Sequence, residues 1–292
     1  MISKGANRFR KEIRDEKQRA PSPDGSEYQR LTPNRREGKH AAAMAKSRED
    51  HLIMSASGGP VARERLEDLA AASRILVDQG VFDAAGHVSM RHPDNPERFL
   101  MSRSLAPAMI TADDIMEFDL DCEAIDPRGR SGFIERYLHG EIFRARPDVQ
   151  AIAHSHSASV IAFGLSQSPM RAMYHNAAFL AAGVPVFDIR DEFGATDIVI
   201  SDRAKGAALA RTLADKPVAL LRAHGMVVVG ESLPVAVFRA IFTEVSARIQ
   251  HQAHALGGPI AALDAEEGAL ADVVNVATVG RSWDLWKQRV MK

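Results

Sequence analysis

The sequence has almost no cysteine and almost no net charge. Its single cysteine, Cys122, excludes a disulfide within the chain and fits a reducing compartment. The 37 Lys and Arg residues nearly balance the 38 Asp and Glu residues, so the net charge of −1 gives no indication of a nucleic acid or membrane partner. No apolar run approaches the ~18 residues of a membrane span, and no apolar signal-peptide core follows Met1. We therefore expect a cytoplasmic protein.

Motifs of two large enzyme classes are also missing. The sequence has no Gly-rich nucleotide-binding loop and no Gly-X-Ser-X-Gly nucleophile motif, which argues against a nucleotide-dependent enzyme and a serine hydrolase of these types. No segment is repeated within the chain. The 292 residues, 46% of them hydrophobic, are instead enough for one α/β domain with a large core.

The first 50 residues differ in composition from the rest of the chain. They contain 13 basic and 8 acidic residues, a net charge of +5, whereas the remainder carries −6. Turn formers are frequent there and large apolar residues are few, so the segment cannot bury enough surface to offset its ordering entropy. We predict a disordered basic tail over residues 1–58 and a catalytic domain over residues 59–292. A basic tail can contact a partner, but a solvated extension, or a true start at Met44 or Met54, is the simpler interpretation.

Two histidines end an apolar run, and they are the strongest chemical signal in the sequence. His154 and His156 stand two residues apart, and on a strand such positions project from the same face. His224 ends a second apolar run, and a carboxylate, Glu135, lies upstream. Three histidines and a carboxylate without cysteine predict a catalytic site for Zn²⁺, Mn²⁺, Fe²⁺ or Co²⁺ with open coordination positions. The alternative is a set of ordinary half-exposed histidines.

Five segments in order resemble the class II aldolase/adducin family. They are Gly86–Ser89, Glu135–His139, Arg146–Val149 leading into His154–His156, Leu221–Gly225 and Gly230–Leu233. The resemblance covers roughly residues 60 to 260. It implies a three-layer α/β/α fold around a mainly antiparallel central sheet and one divalent metal ion per subunit on the three histidines. It also implies a homotetramer with sites at the subunit interfaces.

The same resemblance implies roles on the helix predicted over residues 133–144. Glu135 would be the acid/base, or a fourth metal ligand when no substrate is bound. His139 lies four residues later, so it shares a helix face with Glu135 and would support it. Without the resemblance, Glu135 would be interpreted as a solvated helix residue.

The sequence departs from the sugar-phosphate members of the family at two places. His87 stands where those members usually have Asn, and no glycine occurs between Asn95 and Asp121, where phosphate-binding members usually have a Ser-Gly turn. A sugar-phosphate substrate is therefore not expected. Arg103 could instead form a bidentate pair with a substrate carboxylate, or be an ordinary loop residue.

Three short segments, 86–89, 102–104 and 173–176, resemble a sub-branch of the family that acts on non-phosphorylated acids. It includes decarboxylases of hydroxylated aromatic and ring-cleavage acids, and a few iron-dependent oxygenases of aryl pyruvates. The resemblance implies substrate contacts for His87, Ser89, Ser102 and Arg103. Tyr174 and His175 are candidate proton donors, with packing at a subunit interface as the alternative.

We therefore expect a metal-dependent carbon–carbon lyase, and specifically a decarboxylase of a small, non-phosphorylated hydroxy or keto acid that is aromatic or derived from ring cleavage. Decarboxylation and aldol cleavage use the same metal electrophile and differ in the leaving group, so the metal motif cannot separate them. Aldol cleavage of a hydroxy-keto acid or sugar-like substrate, an iron oxygenase on the same scaffold, and a non-enzymatic adducin-like binding module are the alternatives. The binding module is the weakest, because all the predicted metal ligands are present.

Apolar periodicity also predicts secondary structure around these motifs. Helices are expected over residues 61–80, 204–214 and 233–256, and strands over residues 86–91, 217–222 and 226–229. Trp283 and Trp286 are three residues apart, which predicts a C-terminal helix that docks on its own or a neighbouring subunit.

Overall fold

The computed structural model describes residues 57–291. The predicted tail over residues 1–58 therefore lies outside the described residues, except for its last two. Ser57 and Gly58 both donate hydrogen bonds to the carboxylate of Glu117 on a sheet strand.

One sheet organises the described chain. Its strands are β1 (His87–Arg91), β2 (Arg98–Ser102), β3 (Ile115–Asp119), β4 (Ala151–Ser155), β5 (Val186–Phe187), β6 (Val218–Leu221) and β7 (Gly225–Gly230). They lie in the order β3-β2-β1-β4-β7-β6-β5. Every neighbouring pair is antiparallel except β5 with β6. The expected mainly antiparallel sheet is therefore confirmed, with β4 at its centre.

Helices cover both faces of this sheet. They are α1 (Arg63–Asp78), α2 (Arg136–Ala145), α3 (Ala158–Leu165), α4 (Arg190–Phe193), α5 (Arg203–Leu213), α6 (Leu233–Leu256) and α7 (Ala265–Val290), with 3₁₀ turns at Pro107–Met109, Ala112–Asp114 and His175–Ala182. One buried apolar cluster joins the sheet to α1, α3, α6 and α7, and a second joins it to α2 and α5. The three-layer α/β/α architecture follows from these two cores.

Alternation along the strands decides which side chains face α2. On β4, Ala151 and Ala153 belong to the first core and Ile152 to the second, so His154 projects toward the α2 layer. On β1, Val88 belongs to the first core, so the polar residues on either side of it project toward α2. Because side chains alternate between the two faces of a strand, polar residues of β1 and β4 lie together on the face of the sheet that α2 covers.

The C-terminal helix packs on the body of its own chain. Trp283 and Trp286 are both buried in the first core, and the ring of Trp286 lies 6.2 Å from that of Phe242 on α6. No helix within residues 57–291 has both the length and the apolar character needed to cross a membrane.

Gly225 offers a test of how closely β4 and β7 approach. A Cβ atom on this residue would overlap the backbone carbonyl oxygen of Ser155, whereas a Cβ on Gly280 of α7 would meet nothing within 4 Å. Gly225→Ala should therefore destabilise the protein by about 3 kcal/mol through overpacking. Gly280→Ala should stabilise it by up to about 1 kcal/mol, because alanine is the better helix former. Denaturant unfolding of both variants checks this, and equal stabilities would contradict the described strand spacing.

Candidate metal centre

Four side chains from separate elements converge at one end of the sheet. His154 is the fourth residue of β4 and has no exposed surface. Glu135 is the residue that immediately precedes α2, and His224 lies in the turn between β6 and β7. This turn is tight, because Ala223, the residue before His224, adopts a left-handed φ of 58°.

His156 does not lie on the strand that its spacing from His154 predicts. Strand β4 ends at Ser155, and the chain turns at Ser157 into α3, so His156 belongs to the connection. Its ring still lies 5.2 Å from that of His154, but the two rings are nearly perpendicular. The turn, rather than the strand period, therefore brings the second imidazole to the cluster.

The ligand atoms of Glu135, His154, His156 and His224 all lie within 4.8 Å of one another. The Nε2 atoms of His156 and His224 are 3.2 Å apart. Oε2 of Glu135 lies 3.4 Å from Nε2 of His154 and 3.5 Å from Nε2 of His224. These separations leave room for one cation in contact with all four groups.

Each imidazole is oriented by a hydrogen bond at its other nitrogen. Nδ1 of His154 donates to the carbonyl oxygen of Met226 (3.0 Å), and Nδ1 of His224 donates to that of Ile198 (2.9 Å). Nδ1 of His156 lies 3.1 Å from the carboxylate of Asp83. Because carbonyl and carboxylate oxygens can only accept here, the proton of each neutral ring sits on Nδ1 and the lone pair of Nε2 faces the cluster.

The residues present fit a divalent cation. Nε2 of His154 is fully buried and has no hydrogen-bond partner among residues 57–291, and such orphaned acceptors are rare unless a ligand satisfies them. Three imidazole nitrogens and one carboxylate oxygen form a donor set that suits Zn²⁺, Mn²⁺, Fe²⁺ or Co²⁺.

Glu135 is held as a carboxylate. Burial disfavours its charged form, but His154 and His224 outweigh burial and keep the pKa of Glu135 far below its ordinary value. Its other oxygen, Oε1, accepts a hydrogen bond from the backbone N–H of Ile200 (3.0 Å). Glu135 is therefore present as a carboxylate, which can bind a cation.

The segment from Thr196 to Ile200 supports two members of the cluster through its backbone. The carbonyl of Ile198 accepts from His224, and the N–H of Ile200 donates to Glu135. Ile198 adopts a φ of 60°, which is unusual for a β-branched residue. Sequence reasoning missed this segment and Asp83, because a backbone group carries no residue signature and an isolated Asp resembles any loop residue.

A cavity of about 470 Å³ adjoins the cluster and shares Glu135 with it. Its wall is mostly apolar, and the polar side chains on it are His87, Ser104 and Glu135. Nε2 of His87 lies 4.0 Å from Oε2 of Glu135. A molecule in this cavity would therefore contact His87 and reach the candidate metal ligands.

The other predicted substrate contacts are not on the lining of this cavity. The hydroxyl of Ser89 is buried and bonds to His139, and Ser102 is buried at the end of β2. Nε of Arg103 pairs with Asp114 at 2.7 Å. Substrate-binding roles for these three residues stay predictions.

Tyr174 and His175 lie in the layer formed by α6 and α7. The ring of Tyr174 packs against Phe242, and its hydroxyl is buried without a hydrogen-bond partner among the described residues. His175 is exposed, and its carbonyl accepts a hydrogen bond from Asn275 of α7. No recorded contact within the described chain joins them to the cluster, so their role as proton donors stays a prediction.

A family model described as the class II aldolase and adducin N-terminal domain matches residues 67–251, which include all four clustered residues. The chain belongs to this family. Decarboxylase tropJ of Talaromyces stipitatus is 33% identical over 239 residues, which are 74% of this chain and 90% of that protein. The 3,4-dihydroxyphthalate decarboxylase of Arthrobacter keyseri is 30% identical over 233 residues, which are 74% of this chain and 90% of that protein.

A solved structure agrees with this assignment. The aldolase II superfamily protein from Pseudomonas syringae matches with a TM-score of 0.67 and 25% identity over 80% of this chain and 94% of that one. The two relatives are named decarboxylases. Together with the family match, these names confirm the expectation that this chain is a lyase of the decarboxylase or aldolase type.

Asp83→Asn tests the hydrogen bond that orients His156. The backbone N–H groups of Ala85 and Gly86 bond to Oδ1 of Asp83, so they would hold the amide oxygen of Asn and leave its nitrogen facing Nδ1 of His156. An amide nitrogen cannot accept a hydrogen bond, so the affinity of the metal-free protein for Zn²⁺ should fall at least about tenfold. Competition with a chromophoric chelator measures this affinity. Asp78→Asn, an exposed change at the end of α1, is the matched control and should leave the affinity unchanged. Equal affinities in the two variants would contradict the role of Asp83.

Proposed function

We propose that residues 59–292 form a divalent-metal-dependent decarboxylase of a small, non-phosphorylated, hydroxylated aromatic or ring-cleavage acid. The observation that carries the proposal is the convergence of three Nε2 atoms and the Glu135 carboxylate beside an apolar-walled cavity. Two relatives at 30% identity or more that are named decarboxylases support it. The metal is Zn²⁺, Mn²⁺, Fe²⁺ or Co²⁺, since this donor set suits these ions.

The lining of the cavity supports the substrate class. Leu105, Phe133 and Ile134 offer an apolar surface that suits an aromatic ring. No Lys or Arg is among the described residues that line it, so a doubly charged phosphate group would find no cationic side chain there. A monoanionic aromatic acid matches this lining better than a sugar phosphate does.

The position of Glu135, which belongs both to the candidate metal cluster and to the cavity, fits a proton cycle during decarboxylation. His154, His156 and His224 would hold a metal, which would supply a Lewis acid for negative charge on a substrate oxygen. Glu135 accepts the proton of a substrate hydroxyl when the substrate binds. The bond to the carboxylate then breaks, CO₂ leaves, and the electron pair stays on the ring carbon. Glu135 returns its proton to that carbon, which regenerates the carboxylate.

Metal content and CO₂ release test this proposal together. The purified protein should contain about one metal ion per chain and release CO₂ from hydroxylated aromatic acids. His154→Ala should lose both properties, because it removes one of the three imidazoles and leaves an unfilled space at its fully buried position. Glu135→Gln should keep the metal but lose turnover at least about 10²-fold, because the amide carries no exchangeable carboxyl proton.

His254→Ala, which changes an exposed histidine on α6, is the control and should retain metal and turnover. Normal turnover in His154→Ala or Glu135→Gln would contradict the mechanism. A protein without metal, even after reconstitution, would favour the binding-module alternative.

We further propose a homotetramer in the cytoplasm with active sites between subunits. Ile134 lines the cavity although 62% of it is exposed, and α7 carries exposed apolar residues at Leu270, Val273 and Val274. Apolar surface of this kind is typical of subunit interfaces. Tyr174 and His175 remain candidate proton donors, as alternatives to Glu135.

Light scattering after size exclusion tests the assembly. The full chain should elute with the mass of four copies. Val273→Lys should shift the distribution toward smaller species, because it introduces a charge into an apolar contact. A monomeric wild-type protein would contradict the tetramer.

A further inference from the structure

A buried chain of hydrogen bonds runs from Ser89 through His139 to His87. Oγ of Ser89 lies 2.6 Å from Nδ1 of His139, and Nε2 of His139 lies 2.7 Å from Nδ1 of His87. Ser89 and His139 have no exposed surface, and His87 is 2% exposed. Two residues of β1 are therefore linked through one residue of α2, out of contact with solvent.

The hydroxyl of Ser89 determines the direction of this chain. Its only hydrogen-bond partner among the described residues is Nδ1 of His139. If the hydroxyl accepted a hydrogen bond from Nδ1, its own O–H would be buried without an acceptor, which is strongly disfavoured. Ser89 therefore donates to Nδ1 of His139.

The proton positions on both rings follow from this direction. With Nδ1 of His139 acting as the acceptor, the proton of its neutral ring is on Nε2, and Nε2 donates to Nδ1 of His87. His87 then accepts at Nδ1 and carries its own proton on Nε2. That nitrogen lies on the side of Glu135, and His87 and Glu135 both line the cavity.

A second contact points to the same assignment. Nε2 of His87 lies 4.0 Å from Oε2 of Glu135, whose carboxylate can only accept. An N–H at Nε2 is attracted to this carboxylate, whereas a lone pair there would be repelled by it. The hydrogen bond donated by Ser89 and the position of Glu135 therefore both favour the tautomer of His87 that is protonated at Nε2.

We propose that His87 presents a fixed Nε2–H donor to the cavity, and that Ser89 and His139 are positioning residues that set this tautomer. Such a donor recognises an acceptor oxygen, that is a carboxylate, phenolate or carbonyl oxygen of the molecule beside Glu135. Only the identity of that molecule as an aromatic acid rests on the proposed function. This assignment separates Ser89 from the substrate contacts, because its hydroxyl acts through two imidazoles.

Nitrogen-15 NMR of histidine-labelled protein tests the tautomer without any turnover. The signals of His87 are assigned as those that disappear in His87→Gln. In the wild type they should show that Nε2 is protonated and Nδ1 is not. Ser89→Ala should move the His87 nitrogen signals toward a mixture of tautomers, whereas Ser89→Thr keeps a hydroxyl and should restore the wild-type signals. Protonation of His87 at Nδ1 in the wild type, or unchanged signals in Ser89→Ala, would overturn the proposal.

Binding of a probe tests the donor itself. The Kd of 2,3-dihydroxybenzoate for the zinc-loaded protein should rise about tenfold in His87→Leu, which has no donor, and much less in His87→Gln, which keeps an N–H. Zinc affinity, measured separately, should be equal in both variants. Equal Kd values for the probe would overturn the donor role. A protein with the expected tautomer but no CO₂ release would instead contradict the proposed decarboxylase.

Discussion

Three Nδ1–H hydrogen bonds decide what the candidate site can do. They turn the rings of His154, His156 and His224 so that each presents the lone pair of Nε2 to one point. A rotated ring would present an N–H there instead and repel a cation. Two of the three acceptors are backbone carbonyls, so the orientation of these ligands is tied to the backbone of β7 and of the segment that contains Ile198.

The carboxylate of Glu135 needs partners in its buried position. A buried carboxylate is costly unless charged or hydrogen-bonded partners surround it, and a cation held by the three histidines would supply the charged partner of Glu135. Its Oε2 lies beside two imidazoles and its Oε1 accepts a backbone N–H. The N-terminal end of α2, where Glu135 lies, adds a favourable dipole. The same carboxylate also borders the cavity, so one residue joins the candidate metal centre to the space for a substrate.

Much of the fold could be predicted from the sequence because its signals are local. The helix expected over residues 233–256 is α6 with the same bounds, since apolar periodicity and the cap at Ser232 are both local properties. His156 shows the limit of such reasoning, because β4 ends one residue earlier than the spacing implies. Asp83 and Ile198 could not have been found, because their roles depend on contacts between residues distant in sequence.

The sequence by itself determined the family and the residues with metal-binding chemistry, since the order of the motifs is a property of the chain. The mainly antiparallel sheet was implied by the resemblance to the family. Only the tertiary structure decided which atoms meet. It showed that Ser89 bonds to His139 rather than lining the cavity, that Arg103 is paired with Asp114, and that a strained Ile198 orients His224. The physical reason is that hydrogen-bond geometry depends on the relative positions of β1, α2 and a loop, which no local pattern encodes.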